Sequence, residues 1–361
     1  MSDKIITILG GGNGAHAAAA DLSSRGFTVR MYEEARFAGN MEKVFKTKEI
    51  EYTGVIGDGT AKISMVTSDI AEAVKGAHIV IVAVPAFAHK NYAEKLPPYY
   101  EDGQTVLIFA GVFGSLVFWN ELKKSGLKKD VVFAETYTLP YATRLLGPGK
   151  SAILTLTSPV LTGVMPAKYT DKVMETLKPL YPVEPAKSVL DSGLYTLNPV
   201  THVPGCILNA GRIERQQGDF YFYKEAIPPG VGRVTEMLDT ERMAIAAKLG
   251  YNPTSMVESL KAAGGEGANV SEIISNNPQW AKIQGPDGYK NRYYTEDIPF
   301  GLVGWAYVAH AIGVPTPIMD SLITLSNGLM QQDCWQTGRQ LAEMGLEGKS
   351  LAQIQDYLQN G

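Results

Sequence analysis

Two cysteines, Cys206 and Cys334, occur in 361 residues. So few exclude a disulfide-stapled scaffold and fit a reducing compartment, so a cytoplasmic protein is expected. Histidine is scarce too, at five residues. His202 and Cys206 stand one helical turn apart, but no further His or Cys lies close by, and no metal is expected. No stretch reaches about 18 uninterrupted apolar residues, which argues against a membrane-spanning helix. Net charge is −4, with Lys and Arg spread along the chain and no basic block. Neither a nucleic-acid nor an anionic-membrane partner is expected. The N-terminus, "MSDKIITILGGG", runs straight into an apolar strand pattern with no leader-like region before it. No internal repeat or low-complexity tract is present.

What remains is ordinary globular composition, 45% hydrophobic and 19% charged, in a chain long enough for two domains. The first half alternates. "KIITILG" reads as a buried strand, and "AHAAAADLSSR" as a helix stopped by Gly26. "FTVRMYE" and "KISMVTSD" read as the next strands, and "TSDIAEAVKG" as a helix capped at Thr67 or Ser68. "HIVIVAVPA" and "TVLIFAG" are continuous β-branched apolar runs, as in strands buried on both faces. "DVVFAETY" and "SAILTLTS" follow. This alternation predicts a mostly parallel sheet with right-handed crossovers. Past Lys187 the pattern is helical, and "LYPVEPA" (180–186), with its two prolines, reads as a linker. The expected architecture is an α/β Rossmann-type dinucleotide-binding domain over 1–186 and an all-α substrate domain over 187–361.

"LGGGNGAH" follows the first strand and opens the first helix. Gly10, Gly12 and Ala15 fill the G-x-G-x-x-G/A positions, with Asn13 and Gly14 between the last two. Gly10 permits the tight turn, Gly12 lets the backbone approach a pyrophosphate, and Ala15 keeps helix and sheet close. The helix N-terminus offers free N–H groups to the phosphates. The second strand ends at an acid, Glu33, placed to accept from the adenine ribose 2′-OH. A carboxylate there repels a 2′-phosphate and favours NAD over NADP, although Arg30 and Arg36 are near enough in sequence to weaken that preference. Val84 and Pro85, in the loop after the fourth parallel strand, are further candidate cofactor contacts. His89 in the same loop reads as an ordinary loop histidine.

Substrate groups are sought in the helical half, since a dinucleotide domain supplies the cofactor alone. In "NPVTHVPGC", Asn198 and His202 project from one helical face, and Pro204 with Gly205 is expected to break or kink the helix just beyond. The segment by itself leaves His202 open between a packed histidine and a proton carrier. In "NRYYTEDIPFGLV", Arg292, Glu296 and Asp297 crowd before an apolar helix. Asp297 is either an N-cap or the carboxylate partner of His202. Arg292 is a candidate clamp for a substrate carboxylate through its planar fork. Glu135 in "FAETYTLPYATR" falls at the carboxyl edge of the sheet, where ligands bind. Tyr141, Phe220, Tyr221 and Phe222 are candidate pocket or core aromatics. His16 and His310 read as structural.

Together "LGGGNGAHA", "LNPVTHVPGCILNAGR", "RYYTEDIPFGLV" and "VPTPIMD" resemble the octopine/nopaline dehydrogenase family of opine dehydrogenases, nearly end to end. The resemblance implies NADH-dependent condensation of an L-amino acid with an α-keto acid through an imine to a secondary amine dicarboxylate. It implies a catalytic pair at His202 and Asp297, with Arg292 on the keto-acid carboxylate and Asn198 near the substrate. Two rivals stand beside it: a two-domain hydroxy-acid or polyol-phosphate dehydrogenase, and a non-catalytic NAD-binding protein. The first rival usually places a lysine in its site, and neither "NPVTHVPG" nor "RYYTEDIPFGLV" contains one. The apolar C-terminal helices leave open a homodimer interface or burial against each other.

Overall fold

The computed structural model describes residues 4–278 and 280–361; residues 1–3, where the reading of the N-terminus began, lie outside them. By its internal contacts the chain divides into two units. The first runs to Gly193 and takes in Asp356–Gly361, and the second is Leu194–Gln355.

Twelve strands are described in the first unit: β1 Ile5–Leu9, β2 Thr28–Tyr32, β3 Glu49–Gly54, β4 Gly59–Lys62, β5 Met65–Thr67, β6 Ile79–Val82, β7 Thr105–Ile108, β8 Val132–Thr136, β9 Tyr141–Gly147, β10 Lys150–Leu156, β11 Val160–Met165 and β12 Val183–Pro185. Eight form one sheet in the order β12-β11-β8-β7-β6-β1-β2-β5. It is parallel except where β11 runs against β8. The continuous apolar runs lie at its centre, and every residue of β6 and β7 is buried. Strand β1 pairs with β2 on one side and β6 on the other, so the chain order reverses at β1. Such a reversal opens a ligand crevice at the carboxyl ends of the strands. The helix Asn13–Ser24 lies close to the sheet because its inward side chains are small: Ala15 and Ala17 through Ala20 have no exposed surface.

Three expectations change here. "KISMVTSD" is not one strand. Its start belongs to β4 and its end to β5, and the chain passes between two sheets at Ile63 and Ser64. Ile63 N–H donates to Lys48 O, and Ser64 N–H to Val29 O. The second sheet, β4-β3-β10-β9, also takes "SAILTLTS", which pairs antiparallel with β9 and parallel with β3. The helix expected to be capped at Thr67 or Ser68 is capped by Asp69, whose carboxylate accepts from Ala71 N–H and Glu72 N–H. Residues 180–186 are no linker, because Val183–Pro185 is the edge strand β12, paired with β11. Pro185 is tolerated there because an edge strand has one unpaired side.

The second unit is built on the helices Asn198–Ile207, Pro229–Lys248, Val303–Ala311 and Pro317–Met330. One short non-helical pairing, Tyr221 with Gln284, interrupts the expected all-α pattern. Arg242 is fully buried. Its guanidinium donates to Asp239 (2.7 Å), Leu194 O (2.8 Å) and Thr254 O (2.9 Å), while the other Asp239 oxygen accepts from Met256 N–H at 2.7 Å. This cluster clamps the long helix to the segments on either side of it. Removing one partner strands a charge without water. Asp239→Ala is therefore expected to lower unfolding free energy by about 3–5 kcal/mol, measured by urea titration.

Candidate active site

The turn after β1 forms a candidate cofactor site within the first unit. Gly10 has φ of +117°, and a Cβ there would lie 2.6 Å from Ala83 O and 3.1 Å from Val84 Cγ1. The turn is thus pressed against the end of β6, and Val84 is part of its wall. Gly12, by contrast, has nothing within 4 Å of its missing Cβ. It begins the helix Asn13–Ser24, which has no side-chain cap and no acid in its first turn. Open space over uncapped N–H groups and a positive helix end is what a pyrophosphate needs. Asn13 lends its side-chain oxygen to Leu145 N–H of β9 at 2.6 Å, anchoring the turn to the second sheet.

Glu33 follows β2 and is nearly buried, with 8% of its surface exposed. Its carboxylate accepts from Glu34 N–H at 2.8 Å and lies beside Gly11. Burial raises its pKa, partly offset by those backbone donors. Arg30 donates to Lys75 O and Arg36 to Glu34, so both cations have other partners. The residues present fit an NAD-type dinucleotide.

Glu135 is bonded within its own unit. It is fully buried in β8, and its carboxylate accepts from Phe113 N–H, Ser115 N–H and the Ser115 hydroxyl at 2.6–2.9 Å. An acid held at the start of the Gly114–Lys124 helix is a favourable partner for that helix's positive end. The carboxylate expected near substrate is thus tied to its own chain by these three bonds. Tyr141 likewise leaves the candidate pocket, since its hydroxyl is buried against Asp21 and Tyr181.

A second candidate site lies within the second unit. His202 and Asp297, distant in sequence, meet at 2.7 Å between Nδ1 and Oδ2. Both are buried, at 4% and 6% exposed. The expected break at Pro204 does not occur. The helix Asn198–Ile207 runs through Pro204 and carries His202 at its centre. Asp297 begins a wide, π-helical turn, Asp297–Leu302, whose N-cap position is Glu296, not Asp297. Such turns recur at functional sites because they redirect side chains. This one sits close to the His202 helix, as a Cβ on Gly301 would come within 2.6 Å of Pro199 Cγ. The preceding turn is fixed by the Tyr294 hydroxyl, which donates to Cys206 O at 2.9 Å.

A carboxylate only accepts, so Nδ1 of His202 carries the proton facing Asp297, and Nε2 of the neutral ring keeps its lone pair. That lone pair accepts from the Tyr223 hydroxyl at 2.9 Å. Tyr293 stacks on the imidazole, centroids 3.7 Å apart and planes 17° apart, and Phe222 meets it edge-on at 6.0 Å. Trp280 lies against the Tyr223 ring at 5.5 Å. Burial drives the Tyr223 hydroxyl well above its ordinary pKa, and it raises Tyr293 too. Arg292, on the same turn as Tyr293, is largely exposed, with its Nε 3.5 Å from Glu296. Asn198, one helical turn before His202, is half-buried. Of the listless aromatics in sequence, Phe222 joins the site, while Tyr223, Tyr293 and Trp280 were missed. Nothing in "FYFYKE" separates Tyr223 from the exposed Tyr221, although the "RYYTED" segment did contain Tyr293.

His310 hydrogen-bonds Thr316 and Asp320 near the surface, and His16 Nδ1 bonds back to Gly12 O within its own helix. Among the described residues, no three His, Cys, Asp or Glu side chains cluster to hold a metal ion, and no helix is long and apolar enough to cross a membrane.

The first unit carries a dinucleotide turn and the second a histidine hydrogen-bonded to a buried carboxylate, features of a nicotinamide-dependent oxidoreductase. Residues 185–330 match the family model for the NAD/NADP octopine/nopaline dehydrogenase α-helical domain, and residues 5–133 that for the N-terminus of NAD-dependent glycerol-3-phosphate dehydrogenase. The chain is 31% identical to an opine dehydrogenase of Arthrobacter sp. (strain 1C), over 99% of this chain and 100% of that one. It is 29% identical to vitopine synthase of Allorhizobium ampelinum, over 98% of each. An octopine dehydrogenase structure with NADH and L-arginine superposes with a TM-score of 0.77 at 22% identity, covering 99% of this chain and 98% of the other. The chain belongs to the opine dehydrogenase family.

The two glycines of the turn are expected to fail differently. Gly10→Ala should lower the melting temperature, because it strains φ and collides with Ala83 O. Gly12→Ala should leave the melting temperature unchanged and weaken NADH binding at least tenfold in a fluorescence titration, because its Cβ enters only the open space over the helix end.

Proposed function

We propose that the protein condenses an L-amino acid with an α-keto acid such as pyruvate through an imine to a secondary amine dicarboxylate, and catalyses the reverse oxidation. The observation that carries this is the buried Asp297–His202 pair, lying in the segment that matches the octopine/nopaline dehydrogenase α-helical domain. The same match disfavours a hydroxy-acid or polyol-phosphate dehydrogenase, since the glycerol-3-phosphate dehydrogenase likeness stops at residue 133. Solved octopine dehydrogenases with L-arginine, agmatine or pyruvate bound share the fold.

When bound, NADH supplies the hydride that reduces the imine carbon. The chain's residues manage the proton and the carboxylates. His202 holds the proton needed when the carbinolamine loses its hydroxyl, and Asp297 stabilises the imidazolium and fixes the ring. The exposed guanidinium of Arg292 suits a two-point grip on the keto-acid carboxylate. The Asn198 amide, on the His202 face of the helix, suits a second polar contact to substrate. The aromatic walls of Tyr293, Phe222 and Trp280 keep water from the imidazole. NAD is the preferred cofactor, because Glu33 would repel a 2′-phosphate. Two free, buried cysteines fit a cytoplasmic setting.

NADH consumption is expected only when amino acid and keto acid are both present; consumption with the keto acid alone would favour a hydroxy-acid dehydrogenase. His202→Ala should lose about 10²- to 10⁴-fold in turnover while NADH still binds. In the oxidative direction neutral His202 accepts the proton. Asp297→Asn replaces the carboxylate that accepts from Nδ1, so turnover should fall while NADH still binds, read by steady-state rates beside a fluorescence titration.

A further inference from the structure

Both imidazole nitrogens of His202 are occupied. Nδ1 faces Asp297 at 2.7 Å and Nε2 faces the Tyr223 hydroxyl at 2.9 Å. One ring face is covered by Tyr293, and Phe222 stands at the edge. The His202 side chain is 6% exposed, whereas Tyr223 is half-buried. A proton leaving Nε2 for a ligand therefore meets the Tyr223 oxygen first. Phe222 packs edge-on against the Tyr223 ring and Trp280 lies across it, so the hydroxyl is held in place. The backbone there is pinned as well: Phe222 N–H donates to Ile283 O, and Gly285 N–H to Phe220 O.

We propose that Tyr223 is the catalytic residue that passes the proton to and from the substrate, with His202 behind it as the proton store and Asp297 setting the ring's orientation. This rests on the opine dehydrogenase reading above and adds a member to its site.

The chemistry balances. An ammonium, a keto acid, NADH and one proton give a secondary ammonium, NAD⁺ and water, so each turnover takes up one proton. In the dehydration step the carbinolamine nitrogen's lone pair forms the C=N bond as the C–O bond breaks. The departing oxygen takes the Tyr223 O–H proton and leaves as water. The Tyr223 oxygen takes the Nε2 proton of the His202 imidazolium in the same event. His202 ends neutral, with Nδ1–H toward Asp297 and Nε2 accepting from Tyr223, the arrangement that the heavy-atom contacts support. A free phenolate is never required, in keeping with the burial that disfavours that anion.

Tyr223→Phe keeps the ring and deletes the oxygen. It is tested beside His202→Ala, with NADH affinity by fluorescence, the melting temperature, and rates in H₂O/D₂O mixtures. The relay predicts an about 10²-fold or larger loss of turnover. NADH affinity and melting temperature should stay close to wild type. The rate against deuterium fraction should bow in the wild type, where two protons move together, and become straight in Tyr223→Phe. A merely structural tyrosine would leave that curve unchanged. If Tyr223→Phe turns over normally while His202→Ala is inactive, the substrate meets His202 directly and the relay is overturned. If both variants turn over normally, the role of His202 falls with it. Should Tyr223→Phe fold poorly, Tyr223→Trp serves in its place: retained turnover without the hydroxyl overturns the relay, and loss with the straightened curve supports it.

Discussion

A buried carboxylate 2.7 Å from an imidazole is the constraint around which the second unit is arranged. Left alone, either group would be costly away from water; together they are satisfied and directional. The Asp297 carboxylate can only accept, so the ring's proton sits on Nδ1 and its lone pair on Nε2. The packing serves that pairing. Gly301 lets the π-helical turn approach Pro199, the Tyr294 hydroxyl ties the turn to Cys206 O, and Tyr293 lies flat on the ring. Asn209 bridges Gly205 O and Ala226 O, joining the His202 helix to the segment that carries Tyr223.

The first unit solves a different problem, how to leave a helix end unfilled. Some helices of the chain start on a side-chain cap, as the helix after Asp69 does. At Gly12 the cap is missing and the space is open, while Gly10 closes tightly on Ala83. Glu33 and Val84 stand at the ends of the strands flanking β1 and complete the wall. Unsatisfied N–H groups in a roomy, positive environment are tolerable at the surface and valuable when an anionic cofactor fills them.

Much of this was legible in the chain. Strands buried on both faces leave unbroken β-branched runs, and a dinucleotide turn needs glycine at set spacings, so the parallel sheet and Gly10–Ala15 were plain. What was not legible depends on long-range pairing. Nothing local says that "KISMVTSD" crosses between two sheets, or that Pro185 sits on an edge strand. Pro204 reads as a breaker, yet the helix runs through it to Ile207, with every residue from Pro199 to Ile207 buried. Glu135 had the chain position of a ligand contact, but its donors come from a helix start some twenty residues earlier in sequence. At the site, His202 and Asp297 were recoverable because the long segments around them resemble a family. Tyr223 was not, since one tyrosine among several becomes special only when folding brings its hydroxyl to Nε2.

The central claim is that Asp297 dictates which nitrogen of His202 carries the proton. Nitrogen NMR of isotope-labelled histidine, with His202 assigned by its loss in His202→Ala, reads this directly at a pH where the ring is neutral. The account predicts the Nδ1–H tautomer, with Nε2 unprotonated and hydrogen-bonded. An Nε2–H tautomer, with a bare Nδ1 beside Asp297, would contradict it.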